Sequence, residues 1–173
     1  MAKARPGRCY RKLERPWTRQ SRKNPKLSYV KGAPPVRIRR FEVGDKTLNY
    51  DAIAYIISKS AIQVRDIALE AARVAIVNYL DKVIGKNYFL RLRVYPFHVL
   101  REHKQAAVAQ ADRYFQGMRK PFGRPCGNAA QVRRGTILFE LHFFEKNSDY
   151  IKEAFRRAVH KLPGDYEIKL ESN

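Results

Sequence analysis

The chain has 173 residues, with 36 Lys/Arg against 16 Asp/Glu and a formal net charge of +20. That length suits one ordinary domain plus an extension, and 45% hydrophobic residues are normal for a folded protein, not for a wholly disordered basic tail. No run approaches the ~18 apolar residues of a membrane span, and the two cysteines, Cys9 and Cys126, make neither a disulfide framework nor a zinc pattern.

The first forty residues hold fourteen Lys/Arg and one acid, Glu14, which is +13 of the +20. Arg5, Arg8, Arg11, Arg15, Arg19, Arg22 and Lys23 are interleaved with Tyr10 and Trp17. Such a segment repels itself and does not pack into a core unaided. Against a polyanion its charges are neutralised and counterions are released, while bases can stack on the rings and guanidinium planes. Pro6, Pro16, Pro25, Pro34 and Pro35 break any amphipathic helix and favour extended backbone. No apolar stretch follows the N-terminal charge, which argues against a secretory signal. Residues 1–34 therefore read as an extended basic arm of a soluble intracellular protein, and 35–173 as a single globular domain.

The body begins with Val36-Arg37-Ile38-Arg39, whose alternation predicts a half-buried strand with Arg37 and Arg39 outward. A second short strand is expected over 54–58, although 51–55 could turn helically. Residues 62–84 read as the clearest helix, with Ala68, Ala72, Ala75, Ile76, Tyr79 and Val83 at three- and four-residue steps and Gly85 as the C-terminal stop. Tyr88 to Tyr95 alternates again, with Leu90, Leu92 and Val94 inward and Arg91 and Arg93 outward; after Pro96 a strand resumes over 97–100. Residues 102–111 read as a loop, 112–118 as a short helix, and 120–127 as an irregular turn. Strands are expected over 131–133 and 137–144. A helix capped by Asn147 or Ser148 runs to Leu162, with Ile151, Ala154, Phe155, Ala158, Val159 and Leu162 on its apolar face. Pro163-Gly164 ends it before a last strand over 166–170. This order predicts an α+β fold, with two main helices packed on one side of a mixed or antiparallel sheet.

No catalytic constellation emerges. His98, His103, His142 and His160 lack metal-binding spacing. His98 and Glu102 could meet across a turn, but acid–base work needs a positioned partner and a pocket. Cys126 lies in a Gly/Pro turn between Arg124 and Gly127, where local positive charge can lower a thiol pKa, yet no base is evident beside it. The basic face of the last helix, with Lys152, Arg156, Arg157 and Lys161 around Glu153, reads as solvated. The stretch 117–134 is different. Arg119, Lys120, Arg124, Arg133 and Arg134 flank Gly123, Gly127, Ala129 and Ala130, and small residues let backbone approach a sugar–phosphate chain.

The same stretch carries a family resemblance. Ala111-Asp112-Arg113, Gly117-Met118-Arg119, Phe122-Gly123-Arg124-Pro125, Gly127 and Ala129-Ala130 resemble the signature of the large-subunit ribosomal proteins called L-ten-e in archaea and eukaryotes, relatives of bacterial L-sixteen. Further similarity lies in the arm (Arg5 to Arg11, Thr18-Arg19), in 68–75 and in 91–102, and the pattern looks archaeal. The chain departs from the family at Ala106-Ala107-Val108-Ala109-Gln110, where glycines are usual. The resemblance implies an α/β-hammerhead sandwich and binding to large-subunit rRNA between the central protuberance and the factor-binding stalk. It also implies neighbouring ribosomal proteins as partners, bound tRNA nearby and a cytoplasmic setting within the large subunit. It calls for no enzyme activity, cofactor, metal or homo-oligomer. On this reading Arg91, Arg93, Arg101 and Lys104 line one RNA-facing edge, and Arg113 joins Arg119, Lys120, Arg124, Arg133 and Arg134 as RNA contacts. Two rival readings are a free RNA chaperone and an RNA-modifying enzyme using Cys126, or His98 with Glu102.

Overall fold

The computed structural model describes residues 5–13, 23–27, 30, 32–103, 118 and 122–172. The expected loop over 102–111 beyond His103, and the expected helix over 112–118 apart from Met118, lie outside them, as do Arg15, Trp17, Arg19, Arg22, Lys104, Arg113, Arg119 and Lys120.

Eight strands and two α-helices follow in the order β1 (Glu42–Gly44), β2 (Ala52–Ser58), β3 (Ile62–Arg65), α1 (Asp66–Val83), β4 (Phe89–Leu92), β5 (His98–Glu102), β6 (Arg124–Val132), β7 (Ile137–Phe143), α2 (Ser148–Val159) and β8 (Tyr166–Ser172). Every pairing is antiparallel. The strands divide into a five-stranded sheet, β1-β4-β7-β2-β8, and a three-stranded sheet, β3-β6-β5. Strand β2 alternates strictly, burying Ala52, Ala54, Ile56 and Ser58. That face meets Leu69, Ala72, Ile76 and Leu80 of α1, Ile151, Ala154, Phe155 and Ala158 of α2, and Val64, Ala130 and Val132 of the smaller sheet in one core. The α+β expectation holds, and the sheets are antiparallel throughout.

Several local expectations give way to competing physics. Residues 36–39 do bury Ile38, but they form no strand. Their amides are taken by α1 instead: the Arg37 N–H donates to Asp66 Oδ2 at 3.1 Å, and the Arg39 amide bonds the Glu70 carboxylate. Residues 62–65 are a strand, not the start of the helix, because Ile62, Gln63 and Val64 pair with β6. Helix α1 starts only where the Asp66 carboxylate can accept the Ile67 N–H, at 2.8 Å. Its buried face therefore includes Leu69 and Leu80, whereas Val83 is 40% exposed and Ala68 and Ala75 are half-buried. Helix α2 ends at Val159, and the chain to Leu162 continues as turns that keep Leu162 buried. The expected irregular turn over 120–127 is strand β6 from Arg124 onward.

Two glycines allow close backbone approaches. A Cβ on Gly44 (φ +103°) would lie 1.9 Å from the Tyr88 carbonyl oxygen, where β1 meets the chain entering β4. One on Gly123 (φ +71°) would lie 2.4 Å from the Glu102 carbonyl carbon, where β6 begins against β5.

Candidate nucleic-acid interface

The described start of the arm is docked on the small sheet. Residues Gly7–Tyr10 form a single 3-10 turn beside β3, an edge strand of that sheet. The Gln63 N–H donates to the Arg11 carbonyl at 2.9 Å, and Gln63 Nε2 donates to the Tyr10 carbonyl at 2.9 Å. Arg65 Nη1 donates to the Arg5 carbonyl at 3.1 Å, and its guanidinium lies 5.9 Å from the centre of the Tyr10 ring. Arg5 Nε meets Glu102 Oε1 at 2.9 Å, with the Glu102 side chain only 8% exposed. These contacts occupy an edge that would otherwise offer unpaired backbone groups. Further along, Val30 is buried and the Pro34 carbonyl accepts from Asn128 Nδ2 at 2.8 Å. An acid-poor segment does settle on the body, because Glu102 and the side chains of Gln63, Arg65 and Asn128 receive it.

This docking sorts the predicted contact residues. Arg5 is committed to Glu102. Tyr10 turns inward, half-buried, with its hydroxyl 3.9 Å from Cys126 Sγ. Burial first, then Cys126 and Glu102, push that phenol well above its ordinary range, so it stays protonated. Arg8 and Arg11 are exposed, as are Lys12 and Lys23, and none forms an ion pair among the described residues. Arg37 and Arg39 point their side chains outward while their amides are held by α1.

The predicted edge of Arg91, Arg93 and Arg101 is divided between the two sheets. Arg91, on β4, pairs with Glu42 at 3.1 Å across the β1–β4 ladder. Arg93 is bonded to Glu140, which also bonds His142 Nε2 at 2.8 Å. Arg101 lies on β5 in the smaller sheet. Arg124 is exposed at the start of β6, and Arg133 and Arg134 are exposed in the turn between β6 and β7. That turn is stitched to β2 by the Gly135 N–H to the Ser58 carbonyl at 2.8 Å.

Three of the small residues of this stretch serve the fold. Ala129 and Ala130 are 0% and 2% exposed inside β6, and Gly123 abuts the backbone of Glu102 and His103. Their size permits strand packing against protein backbone, whereas a Cβ on Gly127 would meet nothing within 4 Å, so that position keeps open space. His98 and Glu102 share strand β5, and four residues of strand place their backbones about 13 Å apart. They do not form the acid–base pair considered above. Cys126 is exposed on β6 beside Tyr10.

On α2, Glu153 binds both Arg156 and Arg157 at 2.7 Å, and these bonds hold its carboxyl at about 2. The Arg157 guanidinium also lies 4.1 Å from the centre of the Tyr79 ring of α1. Across the body, acids are repeatedly consumed in such pairs, whereas cations at the arm and at the β6–β7 turn are left facing outward. Sequence reasoning missed Asp66, Glu70 and Gln63, which hold the arm and its exit. Their only signal was polar residues interrupting an apolar helix pattern.

An antiparallel α+β sandwich with a docked basic arm and outward cations has the form of an RNA-binding structural protein. The family model described as ribosomal protein L16p/L10e matches residues 16–169, and the chain belongs to that family. The protein named large ribosomal subunit protein uL16 in Archaeoglobus fulgidus is 42% identical over 168 residues, covering 96% of this chain and 92% of that protein. Its namesake in Staphylothermus marinus is 45% identical over 161 residues, covering 92% and 88%. The one in Pyrobaculum arsenaticum is 43% identical over 173 residues, covering 96% and 91%.

Proposed function

We propose that the chain is a structural constituent of the large ribosomal subunit, bound to large-subunit rRNA and helping to shape the aminoacyl-tRNA corridor near the peptidyl-transferase region. The observation that carries this reading is end-to-end similarity to relatives named as large-subunit proteins. The charge distribution supports it, because exposed cations without protein partners are what phosphate neutralisation requires. Residues 1–34 act as the rRNA-binding arm and 35–173 as the body. Arg8, Arg11, Lys23, Arg37, Arg39, Arg124, Arg133 and Arg134 make the principal phosphate contacts. Arg15, Trp17, Arg19, Arg22, Lys104, Arg113, Arg119 and Lys120 extend the same surface by sequence. The protein is not an enzyme; its partners are rRNA and neighbouring ribosomal proteins, and its setting is the cytoplasmic ribosome. Among the described residues no helix is long and apolar enough to cross a membrane.

Chemical footprinting of rRNA in large subunits assembled with and without the chain tests the binding. A discrete set of protected nucleotides is expected, and identical footprints would refute it. The tRNA role is tested by replacing residues 105–110 with a short Gly-Ser link. Subunit incorporation should persist while tRNA accommodation falls. Full tRNA binding by the same particles would reduce this loop to a connector.

A further inference from the structure

A cavity of about 700 Å³ opens between α1, the start of β4 and the segment leading into β1. That is within the roughly 300–1,000 Å³ of small-molecule sites. Positions Arg73, Val77 and Asp81 recur every four residues on α1 and form one wall. Val43 faces them, and Gly44 brings that strand against the Tyr88 backbone. Arg39, Arg40 and Lys86 complete the lining, and all three are exposed.

The charges in this cavity are unevenly used. Arg73 is committed to Glu70 through bonds of 2.8 and 2.6 Å. Asp45 accepts the amide and hydroxyl of Thr47 through one oxygen. Arg40 and Lys86 have no ion pair among the described residues. Asp81 gives one oxygen to the Tyr88 hydroxyl at 2.8 Å and keeps the other as an acceptor. The site thus combines two free cations, an apolar wall of Val43 and Val77, and one spare carboxylate oxygen. A bare phosphate would use only the first. A ribonucleotide uses all three: phosphate on Arg40 and Lys86, base against the valines and a guanidinium plane, and a 2′-hydroxyl donating to Asp81.

We propose that this cavity holds a single nucleotide swung out of an RNA strand, a site that rests on the RNA-binding reading above. Arg39 and Arg40 lie five and six residues after Pro34, where the described end of the arm is held by Asn128.

The test compares two RNA duplexes binding to the full chain, one fully paired and one with a single bulged nucleotide. The bulged duplex should bind about tenfold tighter, as stacking of one base warrants. The Arg40→Ala/Lys86→Ala variant should lose that preference while still binding the paired duplex. A 2′-O-methyl nucleotide at the bulge, which keeps the oxygen but has no O–H to donate, should weaken binding to the native chain but not to Asp81→Asn, which keeps an oxygen for Tyr88 and offers an N–H in place of the second acceptor. Equal affinity for both duplexes would overturn the proposal, as would a preference that survives in the double variant. So would a free ribonucleoside 5′-monophosphate that holds the cavity and is not displaced by the bulged duplex. Paired duplex bound at low salt without bulge preference removes the cavity alone. Failure of both duplexes to bind removes the broader reading as well.

Discussion

At the first turn of α1 the Asp66 carboxylate accepts two backbone N–H groups, from Ile67 at 2.8 Å and Arg37 at 3.1 Å, while only 3% exposed. A negative group is favoured there by the helix dipole, and the second bond fixes the path of the chain from arm to body. Asp66→Ala strands the Arg37 amide, and urea unfolding should show a loss of about 1–3 kcal/mol. Asp66→Asn, which keeps an acceptor oxygen, should lose less; equal losses would show that the bonds are unimportant. Glu140 sets an acid limit. Burial pushes its carboxyl up, but bonds from His142 and Arg93 outweigh this and hold it below the ordinary value. A carboxyl depressed on folding stabilises above its unfolded pKa, and that contribution disappears as pH falls through the folded one. Stability should therefore decline on acidification below the ordinary glutamate range, and Glu140→Gln should have a shallower decline. Parallel acid limbs for the two proteins would contradict this.

Among the elements, α1 gives the clearest test of packing. Ala72 is fully buried where α1 meets the core. Ala72→Leu should overpack that contact and cost roughly 1–3 kcal/mol. Lys152→Ala, on the solvated face of α2, should stay within about 0.5 kcal/mol. Equal melting temperatures would reject the facing. The apolar period of α2 was readable because it buries one regular face. Strand β2 was expected only over 54–58, with a helical alternative over 51–55, because both of its faces carry apolar residues. The start of α1 was not readable, because Ile62 and Val64 alternate as a strand does but run without a break into the helical period, and pairing with β6 marks the boundary. Residues 36–39 show the converse. Their alternation was real, but backbone bonds to carboxylates on a distant helix replaced a ladder. The candidate interface was legible as charge density, whereas the commitment of Arg5, Arg91 and Arg93 to protein acids depends on long-range contacts that spacing does not encode.

Over the whole molecule, the +20 charge is divided between cations that hold the fold and cations left for a partner. Arg5 belongs to the first group and Arg8 and Arg11 to the second. Arg5→Ala should lower stability, because it removes an ion pair from a nearly buried Glu102. Arg8→Ala/Arg11→Ala should leave stability unchanged and reduce the log–log salt slope of rRNA affinity by about 0.7–0.9 for each phosphate no longer neutralised. An unchanged slope would remove both residues from the RNA surface. Membership of the large subunit is read by sedimenting the tagged protein from cell lysate through sucrose gradients of rising salt. One copy should migrate with each large subunit, persisting at moderate salt and released by ribonuclease. A chain found at the top of the gradient at physiological salt, with large subunits intact, would contradict it.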